Sequence, residues 1–128
     1  MKYFLIIVTF LSLTLFAEVK ITKYSSGELK SKVTVKNGKR TGVSKGYYKD
    51  GTLKYEVNFK NDKREGLAKD YFKNGKLKSE QNYKAGLLNG VAKKYHKNGK
   101  LKSKFTFEDD LPLSGTAYSK DGKEIVLR

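Results

Sequence analysis

The chain has no cysteine, no tryptophan, one proline and one histidine in 128 residues. Without cysteine there is no disulfide framework, no thiol nucleophile, no cysteine-held metal and no lipid-attachment site. The single histidine, His96, leaves little for a relay or an imidazole-rich metal centre. Acidic residues number 13 against 28 lysines and arginines. They are scattered except at Glu108-Asp109-Asp110, which lacks the spaced ligands of a dedicated calcium loop and reads as charge relief. No stretch places apolar residues at helical spacing, so its glycine turns have no following helix to aim amides at a phosphate. The chain is expected to be no enzyme and to need no cofactor or metal.

Long hydrophobic runs are missing too, with one exception at the start. Met1-Lys2 is a short basic beginning, Tyr3 to Phe16 is apolar apart from Thr9, Ser12 and Thr14, and Ala17 is small. A run of 14 is too short to cross a bilayer, which takes about 20 residues. Residues 1–17 therefore read as a signal peptide, and the protein is expected to be exported, to the periplasm, cell surface or medium. Leu15 at the −3 position is larger than usual, which disfavours efficient cleavage and favours retention as an anchor.

What the chain does have is repetition. Gly27, Gly51, Gly75 and Gly99 recur every 24 residues and Gly122 follows after 23. The phrase Lys49-Asp50-Gly51-Thr52-Leu53-Lys54 returns at Lys73–Lys78 and again at Lys97–Lys102. A second glycine comes 15 residues later at Gly42, Gly66 and Gly90, and 16 later at Gly115. A fixed period of this length means one supersecondary unit stacked several times. The units run over about 24–47, 48–71, 72–95 and 96–118, with 119–128 as a C-terminal cap.

Within a unit, Leu53 to Phe59 alternates apolar and polar, the period of a half-buried strand. That alternation places Leu53, Tyr55, Val57 and Phe59 on one face. Asp50-Gly51, Asn74-Gly75 and Asn98-Gly99 are hairpin turns. A two-residue turn would set Phe72 opposite Leu77; a three-residue turn with glycine in the left-handed region would set Tyr71 there. Tyr47, Tyr71, Tyr95 and Tyr118 never vary, whereas the next position holds Tyr48, Phe72, His96 and Ser119, which favours the second turn. The expected repeat core is thus these four tyrosines with Leu29, Leu53, Leu77 and Leu101, and His96 reads as a variant packing residue. The opposite turns, such as Lys60 to Glu65, read as longer and basic. The glycines that follow them read as sites of close backbone approach. The fold class is all-β, a meander of antiparallel hairpins in one elongated twisted sheet.

The phrase Tyr-x-Asn-Gly-Lys-Leu continuing to a second tyrosine, as it stands from Tyr71 to Tyr95, resembles the bacterial variant of the MORN repeat. Within it, the chain resembles the YwqK-like antitoxin-type proteins. The resemblance covers roughly residues 24–126. It implies a curved sheet of hairpins that binds proteins or membrane surfaces and catalyses nothing. Glu108 to Pro112 departs from the pattern and reads as the beginning of an end cap.

The formal net charge of +15 points to an anionic partner. Lys30, Lys54, Lys78 and Lys102 share one repeat slot, and Lys45, Lys69 and Lys93 share another. At two strands per unit, equivalent lysines lie about 10 Å apart. They form a candidate anion-binding ladder, diluted where Glu56 and Glu80 intervene and strengthened where Lys32 and Lys104 replace them. The first expectation for function is protein–protein interaction, antitoxin-like or effector-like. The alternative is peripheral binding to an anionic membrane lipid or envelope polymer. Nucleic acid has the lysines and aromatics in its favour and export against it.

Overall fold

The computed structural model describes residues 16–126, and every regular element in that range is a β-strand. The signal segment 1–17 lies almost wholly outside the described residues. The strands are β1 (Glu18–Lys23), β2 (Leu29–Lys36), β3 (Lys39–Arg40), β4 (Gly42–Tyr47), β5 (Leu53–Lys60), β6 (Lys63–Tyr71), β7 (Leu77–Lys84), β8 (Leu87–Tyr95), β9 (Leu101–Glu108), β10 (Leu111–Tyr118) and β11 (Glu124–Ile125). They form one open antiparallel sheet in chain order, with the two-residue β3 pairing β2 beside β4. Each strand meets its sequence neighbours and little else, as stacked units require.

The Asx-Gly turns have the length expected of them, and the turns at the opposite ends do not. At the Asp50-Gly51 end, the Tyr48 amide donates to the Thr52 carbonyl at 2.8 Å and the Gly51 amide to the Tyr48 carbonyl at 2.9 Å. Gly51 has a φ of 88°, the left-handed region that glycine enters without strain. This is the three-residue turn, and it sets Tyr47, Tyr71 and Tyr95 opposite Leu53, Leu77 and Leu101 as the repeat comparison predicted. Gly27, Gly75, Gly99 and Gly122 have the same sign of φ in the same slot. The side chains of Asp50, Asn74 and Asn98 brace these turns by accepting from Thr52, Lys76 and Lys100 amides at 2.9–3.0 Å.

The opposite ends are tight, not long. Asn61 and Asp62 both have positive φ (48° and 70°), the conformation of a two-residue hairpin turn. The pairs Asn37-Gly38, Ala85-Gly86 and Asp109-Asp110 do the same. So β6 begins at Lys63 and β8 at Leu87, inside segments read as loop. Asp109-Asp110 is likewise the hairpin turn of the fourth unit, not an end cap. Its carboxylates bind the preceding unit: Asp110 accepts from the Leu88 amide at 2.7 Å and Asp109 from the Asn89 amide nitrogen at 3.1 Å.

The core is thin because the sheet has one layer. Among the described residues only Phe59 and Ala68 are buried apolar side chains, with Ser44 and Ser79 the buried polar ones. Stability comes from ladders of hydrogen bonds and from side chains half-buried against neighbours across the strands. The expected core tyrosines and leucines are all half-buried.

A one-residue bulge recurs in every unit. Tyr47 pairs Leu53, yet the next pair is Gly46 with Tyr55, so Lys54 has no opposite partner. The register skips Lys30, Lys78 and Lys102 in the same way. A bulge inserts one residue and breaks the alternation. Leu53 therefore lies on the face of Tyr47, while Tyr55, Val57 and Phe59 lie on the other, which corrects the single face read from the sequence.

Candidate functional site

Directly paired residues share a face, so the registers assign every strand residue to one of two surfaces. On the first, one row runs Lys32, Lys45, Glu56, Lys69, Glu80, Lys93, Lys104. The middle alternates in sign, and Lys93 Nζ lies 3.7 Å from Glu80 Oε1. Like charges stand opposite each other only at the flanks, Lys32 with Lys45 and Lys93 with Lys104. Lys69, between Glu56 and Glu80, is the weakest rung for an anion. The repeat tyrosines flank this row, and the Tyr95 hydroxyl donates to Glu80 at 3.2 Å. Burial, then the Glu80 charge, raises the Tyr95 pKa.

The other lysine set is at the turns. Lys30, Lys54 and Lys78, the bulge residues, hold their ammonium groups 5.5–5.8 Å from the ring centres of Tyr24, Tyr48 and Phe72. Lys49 and Lys73 approach Tyr24 and Tyr48 from the next unit at 5.8 and 5.9 Å. These are cation–π contacts at exposed sites. The lysines are thus parts of the turn packing as well as surface charges. Lys102 is exposed in the equivalent position beside His96.

His96 does more than pack. Its Nε2 lies 2.9 Å from the Tyr118 carbonyl. Because a carbonyl only accepts, Nε2 carries the proton. Tyr24 and Tyr48 make the same bond with their hydroxyls to the Tyr47 and Tyr71 carbonyls, each at 2.7 Å. Where it holds Tyr24, Tyr48 or His96, the varying slot ties one unit to the next.

The second surface is aromatic. Along it the middle positions run Ser44, Val57, Ala68, Gln81, Ala92, Phe105, Gly115. Ser44, Ala68, Ala92 and Gly115 each lie three residues before a repeat tyrosine. They are always small, so the larger residues between them stand over a low floor. The recurrence of a small residue at this slot is visible in the sequence itself. The close-approach glycines are also not those expected. Gly42, Gly66 and Gly90 have positive φ and no crowding, and Gly66 and Gly90 sit inside β6 and β8 where the register slips against β5 and β7. Gly46 and Gly115 are the tight ones: a Cβ there would come within 2.1 Å of the Tyr55 ring and 2.0 Å of the Phe105 ring.

A hollow of about 270 Å³ opens between Ser44, Val57, Ala68 and Gln81. Arg40 and Arg64 stand at its rim, their guanidinium carbons 4.1 and 5.1 Å from the ring centres of Phe59 and Tyr83. Arg40 pairs with Asp62, and these hydrogen bonds hold the Asp62 carboxyl below its ordinary pKa. Asp70 accepts from the Ser79 hydroxyl at 2.9 Å. Ser44 is 2% exposed, and its Oγ has no hydrogen-bond partner. A second hollow of about 320 Å³ lies over Ala92 between Gln81 and Phe105. No cluster of three His, Cys, Asp or Glu side chains able to hold a metal occurs among the described residues.

No curated protein and no solved structure matches the chain. The family described as MORN repeat variant does, at residues 40–61, 64–85 and 88–109. Each matched segment spans a hairpin closed by one of the Asx-Gly turns, and together they cover just over half of the chain. With its glycine period, three-residue turns and single sheet of hairpins, the chain belongs to the MORN repeat variant family.

Proposed function

We propose that the protein is an exported, non-catalytic binding module that docks a protein partner on its aromatic face. The observation that carries this reading is that face itself. Tyr55, Val57, Tyr83, Phe105 and Phe107, half-buried, form with the buried Phe59 an apolar patch that has Arg40, Arg64 and Lys94 around it. No other element among the described residues covers it. An apolar centre with a basic rim is the composition of a protein interface. Export rests on residues 1–17, and N-terminal sequencing of the extracellular or periplasmic protein tests it. An antitoxin-like or effector-like role is a special case, which requires the captured partner to be toxic, or an envelope component, in its own right.

The test is photo-crosslinking from single positions in producing cells. A photoreactive phenylalanine at Tyr83 or Phe107 is expected to yield a discrete protein adduct, and one at Leu67 or Val91 on the lysine face is not. Adducts confined to the lysine face would overturn the assignment.

A specific observation favours anionic lipid or polymer as the second reading. The two turns over residues 72–78 and 96–102 carry Lys73, Lys76, Lys78, Lys97, Lys100 and Lys102 and no carboxylate. Replacing Lys30, Lys54, Lys78 and Lys102 with Gln is expected to weaken binding to acidic liposomes strongly and flatten its salt dependence. A partner anchored by aromatics would lose mainly association rate. Liposome binding equal to the parent at low salt would remove these four lysines from any membrane role.

A further inference from the structure

The two hollows sit side by side on the aromatic face, and Gln81 borders both. Building on the protein-partner reading, we propose that this face takes an extended, acidic segment of the partner that seats two apolar side chains about four residues apart, one in each hollow.

Charge selects the acidic character. Arg64 donates to the Tyr83 hydroxyl at 3.0 Å but has no carboxylate partner among the described residues, and neither has Lys94. The first hollow is bordered by Arg64 and by the Asp70 carboxylate, whereas the second is bordered by Lys94 with no carboxylate in its lining. Asp70 accepts from Ser79 and keeps its negative charge, so the anion preference is centred on Lys94 and on the outer side of Arg64. An approaching segment with a carboxylate beside its second anchor would neutralise Lys94, and one beside the first would reach Arg64.

Hydrogen bonding selects the extended form. Gln81 accepts from Tyr83 at 2.9 Å through Oε1, while its amide nitrogen makes no bond among those of the described residues. A helix consumes its own backbone groups, whereas an extended segment offers free carbonyls and amides to such a ridge.

Geometry sets the spacing. The first hollow is centred near β5 and β6, the second near β8 and β9, a separation of about three strands or roughly 14 Å. An extended chain advances about 3.3 Å per residue and returns to the same side every second residue. Residues i and i+4, about 13 Å apart on one side, fit this separation. Residue i+2 then lies over Gln81. A helix of 1.5 Å rise would instead need anchors roughly ten residues apart.

The experiment uses the full chain and synthetic peptides of Asp, Ser and Gly carrying two phenylalanines, read by fluorescence anisotropy. The i, i+4 peptide is expected to bind roughly tenfold tighter than the i, i+3 and i, i+5 peptides, which put one anchor on the wrong side. Ala68→Leu and Ala92→Leu, each filling one hollow, should reduce it to the level of a one-phenylalanine peptide. Circular dichroism verifies that each variant folds, and the spacing series on the parent protein needs no variant. Equal binding at all spacings overturns the proposal, as does preference for wide spacing with induced helicity. If no peptide binds while crosslinks still come from Tyr83 and Phe107, the two-anchor proposal fails and the protein-partner reading stands. If crosslinking also fails there, both are lost.

Discussion

His96 and Phe72 occupy one repeat slot and differ in one bond. His96 reaches the Tyr118 carbonyl, and Tyr48 reaches that of Tyr71, but Phe72 has no polar atom to offer Tyr95. His96→Phe should therefore destabilise by about 0.5–1.5 kcal/mol, the net worth of one hydrogen bond, and His96→Tyr should restore it. Phe72→Tyr should stabilise by a similar amount. Urea titrations of the three variants check this, and an unchanged midpoint for His96→Phe would return the residue to a packing role alone. Gly46 is limited by space. Its missing Cβ is where the Tyr55 ring lies, so Gly46→Ala should cost about 1–3 kcal/mol by displacing that ring. Gly66→Ala, by contrast, meets open space, and its penalty is that of a positive φ alone. A larger loss at Gly66 than at Gly46 would contradict the distinction.

At the scale of the hairpin, the tight turns are clasped to their neighbours by Asp62 on Arg40 and by the Asp62, Gly86 and Asp110 amides on carbonyls one unit back. Asp62's carboxyl has its pKa lowered in the folded chain, first by the Arg40 side-chain hydrogen bond. A lowered value means the contribution is present above the unfolded carboxylate range and fades as pH falls through the lowered one. The difference in stability between the parent and Asp62→Asn should persist at mildly acidic pH and close only below the ordinary Asp range. Denaturation at a series of pH values measures it, and a gap that closes above that range would contradict the pairing.

How far these hairpins were legible follows from the same details. The three-residue turn and the Tyr71–Leu77 pairing could be read because one residue never varies across units. The bulges at Lys30, Lys54, Lys78 and Lys102 could not, since Leu53 to Phe59 alternates without a break and an inserted residue leaves no compositional mark. The tight turns were obscured because Asn61-Asp62 and Asp109-Asp110 sit among charges that resemble loop. Of the candidate site, the charged row and its dilution by Glu56 and Glu80 were legible. The hollows were not, because they depend on two faces being separated correctly at the bulge.

For the whole molecule, contacts run mainly between strands adjacent in the sheet, and the glycine phrase returns every 24 residues. Deleting one complete unit, such as Gly51 to Asn74, should leave a folded but less stable protein, since the new junction joins equivalent positions. A 12-residue deletion should be worse, because it would connect strands running the wrong way. Far-UV circular dichroism with thermal melts checks both, and equal melting of the two deletions would contradict the modular picture. The full-unit deletion that removes part of the first hollow should also abolish the anchor-spacing preference while sparing the second hollow.

Strand order equal to chain order has a mechanical meaning. The described chain enters at one margin of the sheet and leaves at the other, with no second layer fastening distant strands together. Pulled from either end, it is loaded in peeling geometry: the outermost strand comes away one hydrogen bond at a time, and the next strand becomes the new margin. Force never falls on many bonds at once. Such a sheet would unspool sequentially at low tension, through a narrow pore or under a processive motor, and would rewind from whichever hairpins remained.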